Sequence, residues 1–131
     1  MIYVDTSVVL ATLLGEGRVA PPSFWRQLLV SSRLLAFEVW VRVHAKNVAG
    51  SHAEQVGSLL GRIAFLEMES RVLQRALEPF PGPVRTLDAM HLATACFLQG
   101  QGQSIQVATF DERMAKAARQ LRLDVLDIDA D

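Results

Sequence analysis

The chain has 131 residues, half of them apolar, which is enough for one domain, 1–131, with its own core and no need of staples. A net charge of -1 and a pI near 6.3 argue against a general nucleic-acid coat protein, which would be clearly basic. The lone Cys96 excludes an internal disulfide, Asp5 interrupts the N-terminus before any leader-like stretch develops, and no uncharged apolar run approaches the roughly 18 residues of a membrane span, so a soluble, cytoplasmic protein is expected.

Ile2-Tyr3-Val4 suits a buried strand that runs straight into a carboxylate, Asp5. Ser7 to Leu14 reads as a short buried helix capped by Thr6 or Ser7 and ended by Gly15 and Gly17. Pro21 and Pro22 open one helical turn through Phe24 and Trp25, and Leu28 to Val30 form a second strand ending at Ser31-Ser32. Arg33 to Asn47 is helical in pattern with Gly50 as its stop, and Ser51 or His52 opens a helix to Leu60. Ile63 to Met68 alternates as a strand, and Ser70 caps Arg71 to Glu78. Pro79, Pro81, Gly82 and Pro83 make a stiff turn too short for an interdomain linker. Thr86 then caps Leu87 to Leu98, a helix apolar almost all round and therefore buried. Ile105 to Thr109 is a strand, Asp111 to Leu121 a helix, and Val125 to Ile128 a last strand before the acidic end Asp129-Ala-Asp131.

Five short strands alternating with helices imply right-handed crossovers and an α/β architecture, with a parallel sheet covered on both faces. Ligands bind such sheets outside the carboxyl ends of the strands, where the strand order reverses. Asp5 and Asp111 follow strands and belong on that edge. Glu38 lies early in the helix after the second strand, and Asp88 lies in the first turn of a helix running back toward a strand, so both project to the same rim.

Each acid has a plainer reading. Asp5 and Asp111 are good helix caps. Glu38 precedes Arg42 by four residues, the spacing of a surface ion pair. Asp88 is harder to dismiss, because a carboxylate beside an apolar helix face costs free energy unless something pairs with it. Convergence is the stronger argument: crowded carboxylates repel and raise one another's pKa unless a cation is present. Hard oxygen donors without a Cys or His cluster favour Mg2+ or Mn2+ over Zn2+.

Tyr3-Val-Asp5-Thr-Ser7, Ser32-Arg-Leu-Leu-Ala-Phe-Glu38, Leu87-Asp88-Ala-Met-His-Leu-Ala-Thr-Ala95 and Ala108-Thr-Phe-Asp111 resemble the successive motifs of PIN-domain ribonucleases, most closely the VapC-type toxins. Their order and spacing span nearly the whole chain; the third motif is the most specific and the Glu38 motif the loosest. The resemblance implies a PIN-like three-layer fold with a five-stranded, mainly parallel sheet. It implies a Mg2+- or Mn2+-dependent endoribonuclease acting on an RNA substrate, usually a homodimer, and neutralised by a cognate VapB-like antitoxin. Asp5, Glu38 and Asp88 are then the principal metal ligands, with Asp111 completing the catalytic site and Thr6 and Thr109 orienting carboxylates. One departure is the short Pro-bearing stretch from Gly15 to Trp25, where many relatives carry longer helices.

Arg85 and Arg113, flanking two of the acids, are the better candidates among the cations for RNA phosphates, although such charges usually only solvate a surface. His91, one turn after Asp88, reads as a packed histidine bonded to backbone or hydroxyl and is left out of the site. Phe37 and Trp40 read first as core. A haloacid dehalogenase-type phosphatase also starts with a strand running into Asp, but it needs a second Asp two positions on, where this chain has Ser7. The non-enzyme rival is a PIN-like protein- or RNA-binding module without turnover.

Overall fold

The computed structural model of the chain describes residues 1–129. Its elements are β1 (Ile2–Val4), α1 (Thr6–Leu14), a 3-10 turn (Phe24–Arg26), β2 (Leu29–Ser32), α2 (Leu34–Ala45), α3 (Ala49–Leu60), β3 (Ile63–Leu66), α4 (Ser70–Leu77), α5 (Thr86–Gly100), β4 (Gln106–Ala108), α6 (Glu112–Gln120) and β5 (Asp124–Val125). The five strands form one sheet in the order β3-β2-β1-β4-β5, and every pairing is parallel.

The period-two alternation of β1 divides the interior. Ile2 and Val4 face one side, where they pack with Val8, Val9, Leu35, Val39, Val56 and Leu59 from α1, α2 and α3. Tyr3 faces the other, with Leu92, Ala95 and Leu98 of α5 and Met114, Ala117 and Ala118 of α6. A parallel sheet needs this cover on both faces because its strands have no side to turn to water. The expected α/β layering is therefore present, and β1 is central: the chain builds outward through β2 and β3, then returns across β1 to add β4 and β5. The reversal of strand order lies at β1, between β2 and β4.

Several local expectations shift. Gly50 does not stop α2; it lies inside α3. The stop is Asn47, which takes the left-handed conformation at φ 57, while Val48 N–H reaches back to the Val43 carbonyl at 3.2 Å and Asn47 N–H to the His44 carbonyl at 2.9 Å. That is a Schellman closure, and Asn serves it where glycine is commoner. The last strand is only Asp124–Val125, because Ile128 leaves the sheet edge to pack with the α1–α3 core. The third strand ends at Leu66, so Glu67 is free to meet Arg33 at 2.9 Å. Phe37 is exposed rather than core: the buried line of α2 is Leu35, Val39 and Val43, spaced by four, and Phe37 falls on the opposite side. Trp40 is partly buried against that same core. Asp127 and Asp129 are exposed, as expected of an acidic end, and Asp131 lies outside the described residues. Among the described residues no helix is long and apolar enough to cross a membrane.

Candidate active site

β1 ends against the start of α1, and Asp5 occupies the junction. It stands at the N-cap position of α1 with extended backbone, yet its side chain makes no capping bond. Its Oδ2 instead accepts from Ser7 Oγ at 2.6 Å and from Thr109 Oγ1, beyond β4, at 2.7 Å. Asp5 is only 6% exposed, and a buried carboxylate with two hydroxyl donors is satisfied rather than stranded. Ser7 Oγ also accepts from Phe110 N–H at 3.0 Å, and Thr109 Oγ1 accepts from Asp111 N–H at 3.0 Å. These bonds tie the ends of the adjacent parallel strands β1 and β4 together at the carboxyl edge.

Asp111 has two occupations, one per oxygen. Its Oδ1 caps α6, accepting from Arg113 N–H at 2.9 Å and Met114 N–H at 3.4 Å. Its Oδ2 accepts from Arg85 Nη2 at 3.1 Å. The cap reading of Asp111 is correct as far as it goes and leaves the second oxygen facing the site.

Asp88 lies in the first turn of α5, where its Oδ2 accepts from Arg85 Nε at 3.1 Å. Burial pushes the Asp88 carboxyl above the ordinary aspartate range, and the charges of Asp5 and Asp111 push the same way. The pull of Arg85 is opposite in sign and does not cancel them. Arg85 is correspondingly raised, first by its bond to Asp88 and then by the Asp88, Asp111 and Asp5 charges. Asp5, Asp88 and Asp111 thus share one electrostatic neighbourhood, in which a single guanidinium bridges Asp88 and Asp111.

Glu38 comes from α2 and is turned inward. The i,i+4 pair with Arg42 does not form; Arg42 meets Glu16 at 3.5 Å. Glu38 Oε1 accepts from Thr6 Oγ1 at 2.8 Å and lies 2.6 Å from His91 Nε2. Glu38 is therefore joined to the Asp5 side of the site through Thr6, the residue next to Asp5. Thr6 and Thr109 each donate to a carboxylate, but to different ones. The Arg113 N–H is one of the two donors that Asp111 caps, and Arg113 lines a cleft of about 340 Å³ with Pro83, Val84, Arg85, Asp88, Met114 and Ala117.

Two residues that touch the acids lie outside the set read from the sequence. Ser7 binds Asp5, and its place two positions along, at the first turn of α1, was the available signal. His91 is a packed histidine bonded to hydroxyls, as its helix suggested, and it also contacts Glu38. Its i,i+3 spacing from Asp88 is the local hint, since residues three apart are neighbours on a helix surface.

The donor set is all hard oxygen, which suits Mg2+ or Mn2+. Among the described residues no group of three or more His, Cys, Asp or Glu side chains is arranged to hold a metal ion as it stands. The side chain between two of the candidates is Arg85, itself 65% exposed. The carboxylates fit a divalent cation in chemistry and in mutual repulsion, with Arg85 supplying the positive charge in this arrangement.

The family model of the PIN domain matches residues 2–120 of the chain. Ribonuclease VapC46 of Mycobacterium tuberculosis (strain ATCC 25618 / H37Rv) is 33% identical over 130 residues, covering 95% of this chain and 95% of the relative. Ribonuclease VapC35 of the same species, from strain CDC 1551 / Oshkosh, is 30% identical over 132 residues and 96% of each chain.

Proposed function

The chain belongs to the PIN domain family, and we propose that it is a Mg2+- or Mn2+-dependent endoribonuclease, the toxin of a toxin–antitoxin pair. The reading is supported by the shared charge of Asp5, Asp88 and Asp111, brought from three separate elements to the edge where the strand order reverses. Relatives named as ribonucleases over almost their whole length favour RNA as substrate and a VapB-like antitoxin as partner. Homodimer formation belongs to the same reading.

Asp5, Glu38 and Asp88 would hold the ion, with Asp111 completing the set. When bound, a divalent ion offsets charge developing on phosphoryl oxygens and lowers the pKa of water. The protein's part is to hold its carboxylates still. Ser7 and Thr109 fix Asp5, Thr6 fixes Glu38, and the α6 backbone fixes Asp111. Arg85 and Arg113 line the cleft beside Asp88, where each offers a guanidinium to an RNA phosphate. Arg85, bonded to Asp88 and Asp111 in this arrangement, would exchange those carboxylate oxygens for phosphate oxygens were an ion to take its place.

The test is cleavage of a structured RNA by the purified protein with and without Mn2+ or Mg2+, beside Asp5→Asn and Asp88→Asn. Ion-dependent cleavage that falls on the order of 10²-fold or more in each variant is expected, the size typical of losing a charge-stabilising group. Metal-independent behaviour identical in all three proteins would instead mark a binding module without turnover.

A further inference from the structure

His91 is 1% exposed, and both of its ring nitrogens have partners, Nε2 among the carboxylates and Nδ1 in the sheet beneath them. Nδ1 lies 2.8 Å from the Tyr3 hydroxyl of the central strand β1. Nε2 lies 2.6 Å from Glu38 Oε1 and 3.2 Å from Thr6 Oγ1. One set of directions satisfies every group of this network at once. A backbone N–H only donates, and Ser32 N–H donates to the Tyr3 oxygen at 3.2 Å. With Glu38 as the acceptor at 2.6 Å, the hydrogen of that bond lies on Nε2. The Tyr3 hydroxyl, which also meets the Ser31 and Thr94 side chains, then gives its own hydrogen to Nδ1, and burial, which pushes that phenol far above its usual range, keeps the hydrogen on it.

We propose that His91 is a positioning residue: locked by Tyr3 in the Nε2–H form, it holds the Glu38 carboxylate in the orientation that metal binding needs. The relay runs Ser32, Tyr3, His91, Glu38, from the sheet through α5 to α2, and it rests on the metal-dependent reading above. A histidine whose far nitrogen is fixed by a second partner is the usual way a protein sets ring orientation and tautomer. Here the ring acts on the carboxylate that would meet the ion, and not on the ion. Its Nε2–H and the Thr6 hydroxyl converge on the same oxygen, Oε1, which restrains rotation of the carboxylate and leaves Oε2 for other partners. Tyr3 and His91 also meet edge to face, with ring centroids 5.8 Å apart, so the relay is packed as well as bonded.

Two readouts test this on the whole chain. In metal-free wild type, nitrogen–proton correlation NMR of the imidazole is expected to show Nε2 protonated and Nδ1 bare; the opposite tautomer overturns the proposal. Calorimetric titration with Mn2+ is then compared for wild type, His91→Leu, His91→Gln and Tyr3→Phe, each first checked for a cooperative thermal melt. His91→Leu is expected to bind Mn2+ roughly 10–100-fold more weakly. His91→Gln, which keeps an N–H in place of Nε2–H, recovers most of that loss, a rescue that a packing role alone does not give. Tyr3→Phe, which removes only the bond to Nδ1, weakens binding several-fold and carries the test if His91→Leu fails to fold. Wild-type affinity in a folded His91→Leu, or in Tyr3→Phe, overturns the assignment. No Mn2+ binding by the wild type overturns the metal-dependent reading itself, and so is distinguishable from failure of the His91 assignment.

Discussion

Arg85 and Asp111 are 26 positions apart in sequence and meet at 3.1 Å, in the same guanidinium that holds Asp88 at 3.1 Å. One exposed cation therefore balances two carboxylates of the candidate site. A divalent ion at these carboxylates competes with it for the same oxygens.

Arg85→Ala removes that competitor. The variant is expected to melt lower than wild type without metal, because Asp88 and Asp111 then repel unscreened, and to gain more from Mn2+, with an affinity several-fold tighter. RNA binding should weaken at the same time, and more so at low salt, if Arg85 makes the proposed phosphate contact. Thermal melts with and without Mn2+ read the first effect; an equal Mn2+-induced rise in both proteins would show that Arg85 does not oppose the ion.

Asp88 sets a pH dependence with a definite sign. Burial lifts its folded carboxyl above the ordinary value of 3.8, so the native chain keeps a proton that the unfolded chain has released. The stability linked to that proton is fully present below the unfolded value and is lost as pH rises through the folded one. Asp88→Asn removes the dependence. Without metal it should melt a few degrees above wild type at neutral pH, and the two curves should merge under acid conditions below the ordinary aspartate range. Melts across that pH series check it; a variant less stable than wild type at neutral pH contradicts the sign.

Thr109 is the hinge between Asp5 and Asp111. Thr109→Val keeps the shape and removes the hydroxyl that donates to the buried Asp5 carboxylate at 2.7 Å and accepts from Asp111 N–H at 3.0 Å. The cost should be about 1.5–3 kcal/mol, the range for a hydrogen bond to a charged group. Thr109→Ser should lose much less. Urea unfolding measures both, and a wild-type midpoint for Thr109→Val would mean that Ser7 alone satisfies Asp5.

The two sides of α2 should respond differently. Leu35 is 0% exposed in the core beneath Glu38, so Leu35→Ala leaves a cavity and should cost roughly 2–5 kcal/mol. Phe37, two positions on and 63% exposed, should tolerate Ala within about 0.5 kcal/mol. Denaturant midpoints for the pair decide it, and a large loss at Phe37 would mean that this ring is covered in solution.

What the amino-acid order settled by itself was local. The apolar run Ile2-Tyr3-Val4 and the almost all-round apolar character of Leu87 to Leu98 predict a buried strand and a buried helix, and the acids that follow strands or open helices fall on one edge of any parallel sheet built from them. The same patterns misplace Phe37 in the core and make Gly50 a stop, because a position two residues off the buried line of a largely apolar helix, or an Asn in the left-handed conformation, leaves no strong mark in composition. Only the tertiary structure decided the partners. Arg42 was the local choice for Glu38, yet the helix faces its buried side inward and gives Glu38 to Thr6 and His91, 32 and 53 positions away. Arg85 likewise reaches across to Asp111. Periodicity says which way a side chain points from its own element; which group it meets depends on strand order and crossover, and those are fixed by burial on both faces of the sheet at once.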